Sequence, residues 1–119
     1  MQMNIRETRQ SIIDACLFMN SSGLNQGTSG NISVRTDEGI LITPSSLPYD
    51  ETSPDDIMLL PGDGLSGEAI GNHRPSSEWK FHADIYRVRP EVHAVVHTHS
   101  TYATALSMHR RDIPACHYM

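Results

Sequence analysis

Apolar residues in the first part of the chain recur at helical spacing. Between residues 4 and 20 several of them fall on one stripe, which is the pattern of an amphipathic helix. Gly23 follows, and glycine commonly ends a helix. The sequence therefore predicts that the chain opens with a helix that covers a core with one face. The residues of the stripe are Ile5, Ile12, Cys16 and Met19.

Short apolar segments after this helix predict strands. Residues 31–35 and 39–43 are joined by a short polar turn, and together they predict a β-hairpin. Residues 57–60 and 65–70 predict a second hairpin around Pro61-Gly62-Asp63-Gly64. Both hairpins favour antiparallel pairing of neighbouring strands.

The second half of the chain alternates helices with strands. Pro75-Ser76-Ser77 introduces a predicted helix that continues to about residue 88, and its two apolar stripes indicate burial on both sides. Residues 93–99 predict a strand, residues 100–111 a helix and residues 113–119 a further strand. We therefore expect an α/β protein with a largely antiparallel sheet.

The size and charge of the chain exclude several classes of protein. Its 119 residues allow one domain of ordinary size, and we expect residues 1–119 to form a single one. Nine Lys and Arg against fourteen Asp and Glu give a net charge of −5, which disfavours binding to nucleic acid. No apolar run approaches the ~20 residues that span a bilayer, so we expect no membrane span and a cytoplasmic location.

His97-Thr98-His99 carries the clearest chemical signal. Alternating side chains on a strand place two histidines at i and i+2 on one face, with their Cβ atoms roughly 6–7 Å apart. That spacing allows both imidazoles to bind one metal ion, and a catalytic zinc site usually has three protein ligands. The sequence therefore predicts a metal site that takes its third ligand from elsewhere. The alternative is an ordinary polar face of a sheet.

Ser76-Ser77-Glu78 lies at the predicted start of a helix. Hydroxyls and free N–H groups at a helix N-terminus bind anions, and a carboxylate in the first turn is close enough to act on a bound substrate. The glycines, hydroxyls and amides of residues 27–33 and of Thr43-Pro44-Ser45-Ser46 suit a phosphate in the same way. The alternatives are a common N-cap sequence for the first segment and turns for the other two.

Several segments occur together, in one order, along the whole chain. In order they are residues 23–33, Leu41-Ile42-Thr43-Pro44, Pro75-Ser76-Ser77-Glu78-Trp79, Val95-Val96-His97-Thr98-His99 and residues 113–119. In this combination the chain resembles the class II aldolase and adducin family, and its aldolase branch in particular. The resemblance implies an α/β/α layered domain around a largely antiparallel central sheet. It also implies that the domain is truncated at its C-terminus, with a third zinc-binding histidine beyond residue 119.

The resemblance also implies roles for individual residues. Glu78 would be the catalytic acid and base, able to approach the metal when substrate is absent, and Tyr118 would donate a proton toward the aldehyde oxygen. His97 and His99 would bind Zn²⁺, and the protein would be a homotetramer. Ser45-Ser46 stands where the close aldolases carry Thr-Gly. The residues implied to hold the substrate phosphate are Gly30, Asn31, Ser45, Ser46, Ser76 and Ser77.

The implied activity is reversible cleavage of a ketose 1-phosphate such as L-fuculose 1-phosphate, giving dihydroxyacetone phosphate and an aldehyde such as L-lactaldehyde. Lys80 is the single lysine of the chain, which favours a metal over a Schiff base as the electron sink. The alternatives are an L-ribulose-5-phosphate 4-epimerase-like enzyme, a methylthioribulose-phosphate dehydratase-like enzyme, and an adducin-like interaction module or inactive fragment. Glu78 favours the aldolase, because the epimerases resemble this region but carry Asp there.

Overall fold

The computed structural model describes residues 4–115, and within them the chain forms three helices and four strands. In chain order these are α1 (Ile5–Ser21), β1 (Asn31–Thr36), β2 (Gly39–Ile42), β3 (Met58–Pro61), α2 (Trp79–Val88), β4 (Ala94–His97) and α3 (Thr101–Met108). Two short 3-10 turns, Tyr49–Glu51 and Pro54–Asp56, connect β2 to β3. None of the helices in this part of the chain has the length and apolar character needed to cross a membrane.

Helix α1 forms where the apolar stripe predicts it. Asn4 caps its N-terminus: the Asn4 side chain accepts a hydrogen bond from the Glu7 backbone N–H at 2.8 Å, and the Glu7 carboxylate accepts one from the Asn4 N–H at 3.2 Å. This reciprocal pair satisfies two donors that a helix start leaves free. Ile12, Cys16 and Met19 are buried along the inner face, so the predicted helix is confirmed.

The four strands form one antiparallel sheet in the order β3-β2-β1-β4. Successive residues of a strand point to opposite faces of the sheet. Leu41 accordingly packs in a cluster with α1, whereas Ile40 and Ile42 pack in a second cluster with Ala83 and Tyr86 of α2. Helix α1, the sheet and α2 are therefore three layers. The predicted α/β class and antiparallel sheet are confirmed; that residues 1–119 form one domain stays a prediction.

The second predicted hairpin is only half formed, because residues 65–69 are not a strand. A single bridge joins Leu59 to Ile70, with backbone N···O distances of 2.9 and 2.8 Å. Before it, Gly62 and Gly64 adopt φ of 61° and 81°, and the Asp63 carboxylate accepts a hydrogen bond from the Leu65 N–H. These turns use the residues that would otherwise extend the pairing, so the strand prediction for residues 65–70 is wrong.

Helix α2 begins later than predicted and is buried on one side only. Ser76 still belongs to extended chain, since its N–H donates to the Thr43 carbonyl at 2.9 Å, and the helix starts at Trp79 with Glu78 at the N-cap position. His82, Ala83 and Tyr86 are buried, whereas Phe81 and Val88 are more than half exposed. The N-terminal boundary and the expected burial of both apolar stripes are therefore wrong.

The last elements are shorter than predicted. Strand β4 ends at His97, so His99 lies beyond the strand, and α3 covers Thr101–Met108 with Ser100 as its N-cap. Residues 113–115 are not in a strand, and the remainder of the predicted strand over residues 113–119 lies outside the described residues.

Candidate metal and acid–base site

Four chain segments meet at one end of the sheet. Asn31, the first residue of β1, is opposite His97, the last residue of β4. Directly after β2, the Thr43 N–H donates to the Ile32 carbonyl at 3.1 Å, so the chain stays beside β1 up to this point. Pro44 in turn forms a bridge with Pro75, three residues before Glu78. The pairing of the strands therefore brings the sequence-predicted metal and phosphate segments to the same edge.

Glu78, His97 and His99 come together at this edge. Each offers one ligand atom, and these atoms all lie within 4.8 Å of one another. His99 lies beyond the strand, and the Asn25 carboxamide oxygen fixes its backbone by accepting the His99 N–H at 2.8 Å. Asn25 is only 2% exposed, so the contact is held inside the protein. The three predicted metal ligands thus form one group, although the expectation that β4 carries both histidines is wrong.

Each of the two imidazoles has a ring nitrogen that makes no hydrogen bond to the described residues. His97 Nδ1 is 2.7 Å from Glu78 Oε2 and 3.2 Å from Asn31 Oδ1. Because both neighbours are acceptors, Nδ1 carries a hydrogen, which leaves Nε2 as the nitrogen that can bind a metal, an arrangement common in metal-binding histidines. His99 Nε2 is buried and has no hydrogen-bond partner among the described residues. Leaving such an atom unpaired is costly, and a metal ion would satisfy it.

The donor set fits a divalent transition metal. Two imidazole nitrogens and one carboxylate oxygen are typical ligands of Zn²⁺. A cavity of about 300 Å³ adjoins both histidines and gives space for a ligand beside them. Its lining consists of His97, Thr98, His99, Ala103, Thr104 and Ser107. The residues present therefore fit the metal that the family resemblance implies.

Glu78 is held as a carboxylate by its neighbours. The Asn31 NH2 group donates to Glu78 Oε2 at 2.7 Å, and this bond lowers the pKa of Glu78 below its usual range. The nearby His97 lowers it further, whereas partial burial acts in the opposite direction. About two fifths of the side chain is exposed, which leaves one side open to an incoming molecule. Glu78 is therefore ionised at neutral pH and accessible.

The residues implied to hold a phosphate lie on the segments that meet here. The Ser45 N–H donates to the Arg74 carbonyl, and the Ser45 and Ser46 hydroxyls are 3.4 Å apart. Ser46 adopts φ of 60°, a conformation that favours glycine. The Ser76 hydroxyl accepts the Glu78 N–H at 3.3 Å, whereas Ser77 is exposed.

Gly30 and Asn31 are both buried at the start of β1. A Cβ atom on Gly30 would lie 2.6 Å from the His97 carbonyl and 2.8 Å from Asn25 Oδ1, so the close packing of these segments requires glycine. The Asn31 carboxamide bonds to Glu78, His97 and His82, which joins the predicted phosphate segment to the metal-ligand group. Tyr118 lies outside the described residues.

Sequence reasoning missed two contributors to the site, His82 and Asn25. His82 is completely buried and bonds to Asn31 at 2.5 Å. Its position four residues after Glu78 puts both on one helical face, a signal that was available in the sequence. Asn25 gave no such signal, because its contact with His99 joins residues 74 positions apart.

The family model described as Class II Aldolase and Adducin N-terminal domain matches residues 10–119. The chain belongs to this family, which confirms the resemblance read from its motifs. The L-fuculose phosphate aldolase of Haemophilus influenzae is 50% identical over 117 residues, covering 98% of this chain and 53% of that protein. The 5-methylthioribulose-1-phosphate/5-deoxyribulose-1-phosphate aldolase of Rhodospirillum rubrum is 49% identical over 111 residues. The match covers 93% of this chain and 49% of that protein.

Solved structures show the same similarity in three dimensions. A structure of an L-fuculose 1-phosphate aldolase superposes with a TM-score of 0.85 at 33% identity, covering 93% of this chain and 52% of that one. The chain spans about half the length of the curated relatives it matches.

Proposed function

We propose that this chain carries the metal-binding and acid–base residues of a zinc-dependent class II aldolase. The reaction is reversible cleavage of L-fuculose 1-phosphate, or a similar ketose 1-phosphate, to dihydroxyacetone phosphate and an aldehyde such as L-lactaldehyde. The observation that carries the proposal is the group of Glu78, His97 and His99, whose ligand atoms lie within 4.8 Å of one another beside the predicted phosphate segments.

Glu78 moves the proton that the reaction requires. In the condensation direction its carboxylate removes a proton from the carbon next to the carbonyl of dihydroxyacetone phosphate, and that carbon then attacks the aldehyde. In the cleavage direction the same carboxyl group returns the proton. His97 and His99 hold the zinc ion, with Glu78 as a further ligand when substrate is absent. The bound ion supplies a Lewis acid that stabilises negative charge on the substrate oxygens.

The remaining roles follow the family resemblance. Hydroxyl and amide groups of Gly30, Asn31, Ser45-Ser46 and Ser76-Ser77 bind the substrate phosphate, and Tyr118 donates a proton to the aldehyde oxygen. Neutral donors at a helix start suffice for such binding, so the acidic net charge of −5 is no obstacle.

The position of Lys80 supports a metal-dependent over a Schiff-base reaction. A Schiff-base lysine needs a desolvated or strongly perturbed environment to provide a neutral amine. Lys80 is exposed on α2 and lies two residues from Glu78. It therefore lacks the surroundings that such a nucleophile requires.

The first experiment measures release of dihydroxyacetone phosphate by the zinc-loaded protein. Candidate substrates are L-fuculose 1-phosphate, 5-deoxyribulose 1-phosphate and 5-methylthioribulose 1-phosphate, the latter two because relatives at 47–49% identity are named for them. L-Ribulose 5-phosphate, followed by epimer formation, tests the epimerase alternative. Conversion of this last substrate alone would overturn the aldolase proposal.

Glu78→Gln tests the acid–base role. Removing a positioned general base typically lowers turnover by about 10²–10⁴-fold, and we expect the variant to retain zinc because both histidines remain. Glu91→Gln is the matched control, since Glu91 is exposed and pairs with Arg89 outside the site. Equal turnover in the Glu78 variant and its control would refute the assignment.

Metal analysis tests the ligands. We expect one zinc ion per wild-type chain, and His97→Ala and His99→Ala are each expected to lower zinc content and activity together. His93→Ala is the control, because His93 is exposed and outside the ligand group. A wild-type protein that binds neither zinc nor phosphate would favour the adducin-like interaction module instead.

The homotetramer and the cytoplasmic location are also part of the proposal and rest on family resemblance. Light scattering on the purified chain measures the mass of the assembly, and a monomer at micromolar concentration would contradict the tetramer for this chain.

A further inference from the structure

A chain of buried hydrogen bonds runs behind the ligand group. The Ser33 hydroxyl is 2.8 Å from the Tyr86 hydroxyl and 2.6 Å from His82 Nδ1. On the other side of the ring, His82 Nε2 is 2.5 Å from Asn31 Oδ1. Ser33 and His82 are 0% exposed and Tyr86 is 3% exposed. We call Tyr86, Ser33 and His82 the buried relay.

The direction of these hydrogen bonds follows from the chemistry of their ends. The Asn31 NH2 group faces the Glu78 carboxylate, because the opposite orientation would bring two acceptor oxygens together. The Asn31 carbonyl oxygen therefore faces His82 Nε2, which must donate. Burial lowers the pKa of His82 to about 4, so the ring is neutral and its Nδ1 accepts from Ser33. Ser33 in turn accepts from the Tyr86 hydroxyl.

The two partners of the Asn31 carboxamide, Glu78 on one side and the buried relay on the other, differ in how firmly they are held. Glu78 is partly exposed, and in the proposed function its carboxyl gains a proton or contacts the metal, which weakens its bond to Asn31. The buried relay has no such freedom, because all three of its side chains are enclosed between β1 and α2. When Glu78 turns away from Asn31, only the relay and His97 still contact the Asn31 carboxamide among the described residues.

We propose that His82, supported by Ser33 and Tyr86, is a positioning residue that fixes the orientation of the Asn31 carboxamide. With its oxygen fixed inward, Asn31 directs its NH2 group at Glu78 and accepts the Nδ1 hydrogen of His97. One buried histidine thereby holds the carboxylate in place and leaves His97 Nε2 free for the metal. This role rests on the proposed function, in which Glu78 is the base and His97 a zinc ligand.

The first test uses the wild-type chain and NMR spectroscopy of its histidine side chains. Two-bond ¹H–¹⁵N correlation spectra distinguish a ring protonated at Nε2 from one protonated at Nδ1. We expect His82 as the Nε2–H tautomer at neutral pH, and we expect the His97 ring to carry a hydrogen on Nδ1, without added metal. A His82 ring protonated at Nδ1 would overturn the proposal without any variant.

The second test compares two replacements of His82. Glutamine places its amide near the position of Nε2 and can donate to Asn31, whereas asparagine ends near Nδ1 and reaches only Ser33. Loss of a residue that orients a metal ligand typically costs about 10–100-fold in affinity. We expect His82→Asn to weaken Zn²⁺ binding by about tenfold and to release the fixed His97 tautomer, and His82→Gln to restore both.

His93→Asn controls for the loss of an imidazole, because His93 is exposed and outside the relay. Unchanged zinc affinity and His97 tautomer in His82→Asn would overturn the proposal, as would equal losses in the Asn and Gln variants, which indicate packing alone. The expected tautomers in a chain without aldolase activity would refute the proposed function and leave the positioning role intact. If His82→Asn does not fold, the wild-type tautomers decide.

Discussion

His82 makes a specific contribution to the pH dependence of stability. The ring is completely buried, and burial lowers its pKa from 6.5 to about 4. The unfolded chain therefore binds a proton at a higher pH than the folded protein does. Between these two pKa values the unfolded state holds more protons, so the free energy of unfolding falls as the pH is lowered.

The size of the effect follows from the two pKa values. A difference of one pKa unit corresponds to about 1.4 kcal/mol, so the full contribution of His82 is on the order of 3 kcal/mol. It is fully present above the unfolded pKa of 6.5 and is lost as the pH falls toward the folded value of about 4. Between about pH 7 and pH 5 we expect a loss of about 2 kcal/mol from this residue.

Urea unfolding of the wild type and of His82→Gln at a series of pH values measures this quantity. Glutamine does not titrate, so the difference between the two curves isolates His82 from the carboxylates that titrate at lower pH. We expect the wild type to lose about 2 kcal/mol more than the variant over the same interval. Parallel curves for the two proteins would refute the reasoning, and so would an NMR titration in which folded His82 takes up its proton near pH 6.5.

Three further substitutions test packing, capping and backbone conformation by urea unfolding. Leu41→Ala removes a completely buried side chain and is expected to lower the free energy of unfolding by about 2–5 kcal/mol. A loss below about 1 kcal/mol would contradict the layered core. Asn4→Ala removes the cap of α1 and is expected to cost about 1 kcal/mol, with no loss if the cap does not form. Ser46→Gly relieves a positive φ of 60° and is expected to stabilise by roughly 0.5 kcal/mol; destabilisation would argue against that conformation.

Much of the layered fold could be predicted from local patterns. The stripe on α1 and the hairpin of β1 and β2 depend on neighbouring residues, and both formed as expected. The strand predicted over residues 65–70 does not form, because turns around Gly62 and Gly64 and the hydrogen bond from the Leu65 N–H to Asp63 replace strand pairing there. The predicted start of α2 was wrong for a non-local reason. The Ser76 N–H donates to the Thr43 carbonyl, and this bond keeps the chain extended before the helix.

The candidate site also combines features that the sequence predicts with features that depend on contacts between distant residues. The spacing of His97 and His99 predicted a shared metal site, whereas the approach of Glu78 to that site was implied only by the family resemblance. The reason that His99 joins the group could not be predicted, because its backbone hydrogen bond goes to a side chain 74 residues earlier. His82 was also missed, because a buried histidine is more often structural and its bonds to Asn31 and Ser33 join distant segments.

The bond between Asn25 and the His99 backbone makes the loop after α1 part of the candidate metal site. Gln26 of the same loop donates to the Thr101 hydroxyl at 2.8 Å, so the loop also holds the start of α3. The distance between the two imidazoles therefore depends on a buried contact with this loop and not on the sheet alone. Substitutions of Asn25 are therefore expected to change the spacing of the two imidazoles while every candidate ligand and every strand stays as it is.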